Sequence, residues 1–103
     1  MNSRTSNLYI GNINPGATSE RLSATTSSAV SLATLHTDTD YVVIDVQTYN
    51  VLVTFDGTTA TATNGHLLVK DKELIVLTKN AAAGASFIGS GGTAIVYAEQ
   101  FVD

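Results

Sequence analysis

Two strand-like runs lie almost back to back in the stretch YVVIDVQTYNVLVTFD, residues 41–56. The first run is rich in β-branched residues, and the second places Val51, Val53 and Phe55 on one face, as a half-buried strand does. The few residues between the runs leave no room for the helix that usually joins parallel strands. The stretch therefore predicts antiparallel β-structure, formed either as a hairpin or as one long bent strand.

Comparable runs recur on both sides of this stretch. They are AVSLATL (29–35), HLLVK (66–70), ELIVLT (73–78) and the terminal TAIVYAEQFV (93–102). Turn residues separate the runs at spacings of about 8–12 residues, which is typical of small all-β folds. The charged residues between HLLVK and ELIVLT predict that these two runs form a strand pair.

The segment NAAAGASFIGSGG, residues 80–92, interrupts the strand pattern. Its three consecutive alanines predict one short helical turn near residues 80–88, with Phe87 and Ile88 entering the core. The glycines of GSGG, residues 89–92, predict a loop. Because no long helix is indicated elsewhere, the chain is predicted to be all-β, as a small antiparallel β-sandwich or jelly-roll-like barrel.

Residues 1–26 differ in composition from the rest of the chain. They are rich in Ser, Thr, Asn and Gly and carry the only proline, so we interpret them as an extended N-terminal arm that precedes a β-sandwich domain of residues 27–103. The apolar residues and the proline of this arm are candidates for an interface. These candidates are Leu8, Tyr9, Ile10, Ile13 and Pro15. Either they fold back on their own domain or they reach a neighbouring subunit.

The chain carries few charges. Of its 103 residues, 14% are charged and the formal net charge is −4, whereas ordinary soluble domains have roughly 25% charged residues. Such a surface resists association poorly, which favours coverage by other subunits. The five Lys and Arg form no basic stripe, so no direct nucleic-acid binding is expected. No apolar window approaches the length of a membrane span, so no membrane partner is expected.

Residues that bind metals are sparse. Cysteine is absent, which excludes disulfides, thiolate metal sites and cysteine nucleophiles. The sequence HTDTDY places His36, Asp38 and Asp40 on alternate residues, so in an extended segment all three would project to one side and could share a divalent cation. The alternative is a polar turn in solvent. We expect no bound cofactor.

Two turn signals bracket TTATAT, residues 58–63. Asp56-Gly57 and Asn64-Gly65 each combine a side chain that bonds to nearby backbone with a glycine that accepts positive φ. The residues between the two turns are small, which indicates a solvent-side loop or edge segment rather than a pocket. His66 is predicted to fix the corner that follows Asn64-Gly65 by a hydrogen bond.

No catalytic signature stands out. The abundant Ser and Thr lack a recognisable base and orienting acid, and GSGG lacks the lysine and the following helix of a phosphate-binding loop. We therefore expect a protein that is not an enzyme. Two rival classes stay open: a cupin-like enzyme, which would need a metal, and a carbohydrate-binding or receptor-binding module. The residues that would form a platform for sugars are Tyr9, Tyr41, Tyr49 and Tyr97.

The stretch VLVTFDGTTATATNGHLLV (51–69), followed by AAAGASFIGSGGTAIVYAEQF (81–101), resembles a group of small proteins encoded among the virion genes of tailed bacteriophages. In that group a strand ends in a TFDG-type turn that leads to an A-T-x-G-H-x-L corner, and an Ala-rich turn with FI precedes the last strand and its EQF ending. This chain departs from the pattern by having DGTTATA where a proline would follow the turn. The resemblance covers about residues 51–101 and transfers no binding residue.

The resemblance implies a small β-sandwich that serves as a virion component. Its first implied role is capsid decoration: a cement protein, commonly a homotrimer, that binds the assembled lattice of the major capsid protein and stabilises it. The protein would then be made in the cytoplasm of the host bacterium and lie on the capsid surface of the virion. A tail or head-tail structural subunit is the next implied role.

Overall fold

The computed structural model describes residues 12–13, 19–33, 35–72 and 74–102. Within these residues, nine strands and one short helix follow one another along the chain. They are β1 (Asn12–Ile13), β2 (Ser19–Ala24), β3 (Val30–Ser31), β4 (Tyr41–Gln47), β5 (Asn50–Thr54), β6 (His66–Leu68), β7 (Ile75–Thr78), α1 (Lys79–Ala83), β8 (Ser86–Ser90) and β9 (Ala94–Val102).

The strands form two antiparallel sheets. The first sheet has the order β2-β9-β4-β7, and β1 pairs further along the same edge of β9. The second sheet has the order β3-β8-β5-β6. From β2 to β9, every connection except the one between β5 and β6 passes from one sheet to the other, which is the pattern of an eight-stranded jelly roll. The predicted all-β antiparallel sandwich is thereby confirmed.

The core lies between the two sheets and is apolar. Side chains alternate between the two faces of each strand, so one set from each sheet points inward. The largest fully buried side chains are Phe87, Ile44, Val42, Val51, Val53 and Val96. The first sheet and the second sheet supply three of these each, and burial of one such side chain contributes about 1.5–3 kcal/mol. Each sheet therefore depends on the other for its stability.

The two runs of residues 41–56 become β4 and β5, which lie in different sheets. Only Thr48 and Tyr49 connect them, and Thr48 has a φ of 72° in a sharp turn between the layers. The hairpin alternative is therefore wrong. The predicted pairing of HLLVK with ELIVLT is wrong for the same reason, because β6 and β7 also belong to different sheets. The Thr48 hydroxyl donates to the Thr93 carbonyl (3.1 Å) and fixes this turn to the connection between β8 and β9.

The Ala-rich segment forms the predicted helical turn, but the turn is shorter than expected. Helix α1 spans Lys79–Ala83, and Thr78 caps it by accepting a hydrogen bond from the Ala81 N–H. Among the described residues, no helix is long and apolar enough to cross a bilayer. After α1 the chain resumes strand structure at Ser86.

Strand β8 includes part of the sequence that predicted a loop. Phe87 is fully buried, as expected, but Gly89 lies within β8. The Gly89 N–H donates to the Thr25 carbonyl (2.9 Å). A Cβ atom at Gly89 would lie 2.3 Å from the Ala24 carbonyl oxygen, so this glycine serves a close approach between β8 and the end of β2.

Two strands fall within the segment interpreted as an arm. β2 pairs residue by residue with Ala94–Glu99 of β9, and its last residue, Ala24, is fully buried. β1 pairs with Phe101 and Val102 at the end of β9. Residues 12–13 and 19–24 are thus hydrogen-bonded into the first sheet. The division of the chain at residue 26 stays a prediction.

We predict that Gly89→Ala lowers the free energy of unfolding by about 2–3 kcal/mol, because the added methyl group overlaps backbone atoms that cannot move aside without breaking the contact between β2 and β8. Urea denaturation measures the change. Ser90→Ala in the same strand is the matched control and is expected to change stability by less than about 0.5 kcal/mol. Equal effects of the two substitutions would contradict the close-approach explanation.

Candidate functional site

A cleft lies at the end of β5, between the Asp56-Gly57 and Asn64-Gly65 turns. Its volume is about 450 Å³. Its lining consists of Thr54, Phe55, Asp56, Thr58, Asn64, Gly65 and His66. The cleft therefore combines a carboxylate, an amide, two hydroxyls, an imidazole and a phenyl ring within one continuous stretch of the chain.

The first wall of the cleft is the Asp56-Gly57 turn. Gly57 has a φ of 88°, and its N–H donates to the Gly84 carbonyl (3.0 Å), which ties the turn to the residues after α1. Asp56 Oδ1 accepts from the Thr58 N–H (3.0 Å). The predicted turn, with its aspartate bonded back to the following backbone, is confirmed.

These hydrogen bonds stabilise the carboxylate that lines the cleft. The Thr58 backbone N–H and then the Thr58 hydroxyl stabilise the carboxylate and hold the pKa of Asp56 below its ordinary value of 3.8. Asp56 is exposed to solvent and is an anion at neutral pH. Part of its hydrogen-bonding capacity is already used within the turn.

The second wall is formed by the loop of residues 58–65, which folds onto the outer face of the second sheet. The Ala60 N–H donates to Ser86 Oγ (3.0 Å), and Ala60 is only 2% exposed. The Thr54 hydroxyl donates to the Thr58 carbonyl. The expectation of a loop or edge segment is confirmed, but the expectation that no pocket forms here is wrong, because the loop packs against the sheet and leaves a cleft beside it.

His66 closes the cleft at the start of β6. Its imidazole stacks on the ring of Phe55, with 6.0 Å between centroids and an interplanar angle of 26°. The sequence predicted that a hydrogen bond from His66 fixes this corner. In the structure, the contact with the ring of Phe55 orients the imidazole instead. The corner itself contains a bridge between Thr61 and Asn64. Gly65 follows this bridge, and a Cβ atom added at Gly65 would lie 3.0 Å from the Val53 nitrogen.

The HTDTDY segment is a turn rather than an extended strand. The Thr39 N–H donates to the His36 carbonyl (3.0 Å), so the premise that alternate side chains project to one side is wrong. The His36 and Asp38 side chains approach to 4.0 Å. Within the described ranges, no group of three His, Cys, Asp or Glu side chains is placed to hold a metal ion.

The side chain of Gln100 holds this turn in place by two hydrogen bonds. Its Oε1 atom accepts from the His36 N–H (2.9 Å) and from the Thr39 hydroxyl (2.5 Å). Gln100 and Thr39 are both buried, so the two bonds satisfy polar groups that would otherwise be costly to bury. The turn is tied to β9 by this buried contact.

The tyrosines do not share one surface. Tyr49 is 47% exposed and lies at the turn between β4 and β5. Tyr97 is 38% exposed on the outer face of the first sheet. On that same face Tyr41 stacks on Phe101, with 5.4 Å between ring centroids. Tyr9 lies outside the described residues, so the platform that a sugar-binding module would need has no more than two of its tyrosines on one face of the described structure.

The candidate interface residues are described only in part. Leu8, Tyr9, Ile10 and Pro15 lie outside the described residues. The backbone of Ile13 pairs with Phe101 as part of β1. Their assignment to an interface stays a prediction.

A second feature, which the sequence did not predict, is a groove on the outer face of the first sheet. The groove lies between β4 and β9 and has a volume of about 150 Å³. A signal for it was present in the YVVI run of β4, because consecutive apolar residues place apolar side chains on both faces of a strand. Val42 and Ile44 point into the core, and Val43 lies on the opposite face, where it is 8% exposed.

No protein family model matches the chain, and comparisons with curated proteins and with solved structures found no match.

We predict that the pKa of Asp56, measured by NMR titration of its carboxyl carbon, lies below 3.8. Thr58→Ala keeps the backbone donor and removes the hydroxyl, so it is expected to raise this pKa partway. Because the folded-state pKa is lowered, the stabilisation is present above the unfolded-state pKa and is lost as pH falls through the folded-state pKa. The stability advantage over Asp56→Asn should therefore shrink below about pH 4. A pKa unchanged by Thr58→Ala would contradict this view of the turn.

Proposed function

We propose that this chain is a structural virion protein of a tailed bacteriophage and that it decorates the assembled capsid. The observation that carries the proposal is the distribution of exposed apolar side chains over several surfaces of a weakly charged sandwich. These side chains are Tyr49, Leu67, Val69, Val76 and Tyr97. Exposed apolar residues on several sides suit a subunit with more than one neighbour.

The shape of the sandwich supports the same proposal. The molecule measures 35 × 34 × 19 Å, so each broad face exceeds the roughly 800 Å² that one partner contributes to a standard interface. Leu67 and Val76 lie on β6 and β7, which end the two sheets on the same side of the sandwich. Edge strands with exposed apolar residues are prone to contact another chain.

The jelly-roll topology is compatible with this role by analogy of fold. Jelly rolls occur in viral capsid domains, and they also occur in lectins and cupins. A fold therefore narrows the function without deciding it. The pattern resemblance of residues 51–101 to small virion proteins selects the capsid role among these.

The mechanism that we propose is linkage. A protein that binds the assembled shell and not its separated subunits stabilises the shell in proportion to the logarithm of its free concentration over Kd. If several copies of the protein form one oligomer, binding of the first copy to the capsid raises the effective concentration of the others at neighbouring sites. The fraction of capsid sites that are occupied then rises. The same mechanism would hold for a tail or head-tail subunit, which differs only in location.

We predict that the protein co-sediments with assembled capsids of the phage that encodes it and that Leu67→Glu reduces this occupancy about tenfold or more. Leu67 is 55% exposed, so a charge is tolerated in the free protein but is costly in an apolar interface. The matched control is Thr59→Glu, which adds the same charge at an exposed position in the loop after β5. Failure of the unaltered protein to co-sediment would refute the capsid role.

A second candidate function, saccharide binding, is favoured by the cleft at residues 54–66. A pyranose ring could lie against Phe55 and His66 while its hydroxyls bond to Asp56 and Asn64, since sugars combine an apolar face with polar edges. This site differs from the tyrosine platform that the sequence suggested.

We predict that, if the cleft binds saccharides, a panel of neutral monosaccharides shifts the amide NMR signals of residues 54–66, and that Asn64→Ala weakens the response. Asn7→Ala, outside the cleft sequence, is the matched control. Signals that stay unchanged at millimolar sugar would eliminate this candidate.

A further inference from the structure

Two dipeptides at the cleft place a side-chain carbonyl carbon next to a glycine nitrogen. They are Asp56-Gly57 and Asn64-Gly65. In such a pair the glycine nitrogen can attack that carbon and close a five-membered succinimide ring, and glycine favours the attack because it has no Cβ atom to obstruct it. The reaction also needs a glycine N–H that no hydrogen bond holds, and a neutral amide reacts more readily than a carboxylate anion. The hydrogen bonds of each pair therefore decide which of them reacts.

The Asp56-Gly57 pair fails both conditions. The Gly57 N–H donates to the Gly84 carbonyl (3.0 Å), so its nitrogen is held in the turn. Asp56 Oδ1 accepts from the Thr58 N–H (3.0 Å), which stabilises the carboxylate anion. An anion is a poor target for a nucleophilic nitrogen. The structure therefore protects this pair.

The Asn64-Gly65 pair meets both conditions. Its side chain is a neutral amide, and both residues are exposed to solvent. Within the described ranges, neither the Gly65 N–H nor the Asn64 side chain takes part in a hydrogen bond. The backbone of Asn64 exchanges two hydrogen bonds with Thr61, each 3.2 Å long. These bonds fix the loop and leave the two reacting groups unoccupied.

The fold requires a glycine after Asn64. Gly65 has a φ of 153°, and a Cβ atom added there would lie 3.0 Å from the Val53 nitrogen and 3.1 Å from Leu52 Cβ. A larger residue would push β5 out of its place between β6 and β8. The close contact with β5 thus keeps the least obstructed neighbour beside Asn64.

Two other asparagines lack this combination. Asn50 Oδ1 accepts from the Lys70 N–H (2.9 Å), and the residue that follows is the β-branched, fully buried Val51. Asn80 lies in α1, and the N–H of the next residue, Ala81, donates to the Thr78 hydroxyl (3.2 Å). Both are therefore expected to react more slowly than Asn64.

We propose that Asn64-Gly65 is a self-modification site, at which Asn64 deamidates in the folded protein and gives the cleft a second carboxylate. In the first step the Gly65 nitrogen bonds to Asn64 Cγ, and the bond from Cγ to the side-chain nitrogen breaks. That nitrogen leaves as ammonia and takes up the proton that the Gly65 nitrogen releases. In the second step water adds to one of the two ring carbonyls and opens the ring. The products are aspartate, and isoaspartate in which the main chain passes through Cγ.

The modification changes the cleft in two ways. Each product adds a negative charge to a cleft that already holds Asp56, which favours cationic ligands over anionic ones. The isoaspartate product also adds one carbon atom to the main chain between the Thr61–Asn64 bridge and β6. Because Gly65 lies against β5, this lengthening is expected to displace His66. The inference concerns the cleft and does not depend on the capsid proposal.

The first experiment follows the purified full chain over time at neutral pH by peptide mapping and tandem mass spectrometry. Asn64 is expected to gain about 1 Da and to become a substrate for an isoaspartyl methyltransferase. Its rate is expected to be at least about tenfold above that of Asn50 or Asn80. Asn64→Gln keeps the amide but would need a six-membered ring, so this matched variant is expected to stay unmodified at residue 64.

A synthetic peptide of residues 60–70 reports the reactivity of the same sequence without the fold. If Asn64 stays intact in the folded chain while this peptide is half converted, the turn protects the pair and the proposal is overturned. Equal rates at Asn64 and Asn50 would overturn it as well. Unfolding in urea is expected to release Gly57 and to allow isoaspartate to form at Asp56. Equally fast formation there in the folded chain would contradict the protection assigned to the bond with Gly84.

The second experiment measures the effect on the cleft with Asn64→Asp, which reproduces the aspartate product. NMR titration is expected to show a higher pKa for Asp56 than in the unaltered chain, because a second carboxylate in the cleft disfavours ionisation of the first. Asn50→Asp, at the opposite end of β5, adds the same charge and is the matched control. A pKa of Asp56 that responds equally to both substitutions would overturn the assignment of the new charge to the cleft.

Discussion

The pairing of β9 with β4 is the constraint on which the structure depends. The register runs from Tyr41 opposite Phe101 to Gln47 opposite Ile95, and it decides which face of both strands enters the core. A shift by one residue would exchange the buried and outward sets of side chains on the shifted strand. Because β2 and β1 pair with the other edge of β9, the same strand also fixes the N-terminal part of the described chain.

The sequence predicted six of the nine described strands, because each of those apolar runs carries its own periodicity, but it did not predict β1, β2 or β8. It did not predict which strands share a sheet, since alternation identifies the faces of a strand and not its partners. Thus β4 and β5 were expected to pair or to merge, although the turn at Thr48 directs them into different layers. Gly89 illustrates the same limit, because its place in a strand depends on Ala24, which is distant in sequence.

The candidate sites were harder to predict than the fold for a related reason. The cleft exists because the loop residue Ala60 is hydrogen-bonded to Ser86 of β8. The sequence TTATAT alone gives no sign of this contact. The alternating arrangement of His36, Asp38 and Asp40 that a cation site would need is not present, because Gln100 holds the HTDTDY segment as a turn. The outer groove could be anticipated only from the doubly apolar YVVI run. In each case, a tertiary hydrogen bond or strand partner determines the geometry of a locally ambiguous sequence.

In the proposed role, the core would hold the two sheets together, and the apolar side chains exposed outside it would contact the capsid. The most direct test of the decoration role is cryo-electron microscopy of capsids incubated with the purified protein. If the protein decorates the capsid, additional density that matches a sandwich of 35 × 34 × 19 Å is expected at regular positions on the outer surface of the shell. A bare shell, at protein concentrations that saturate any specific binding, would contradict it.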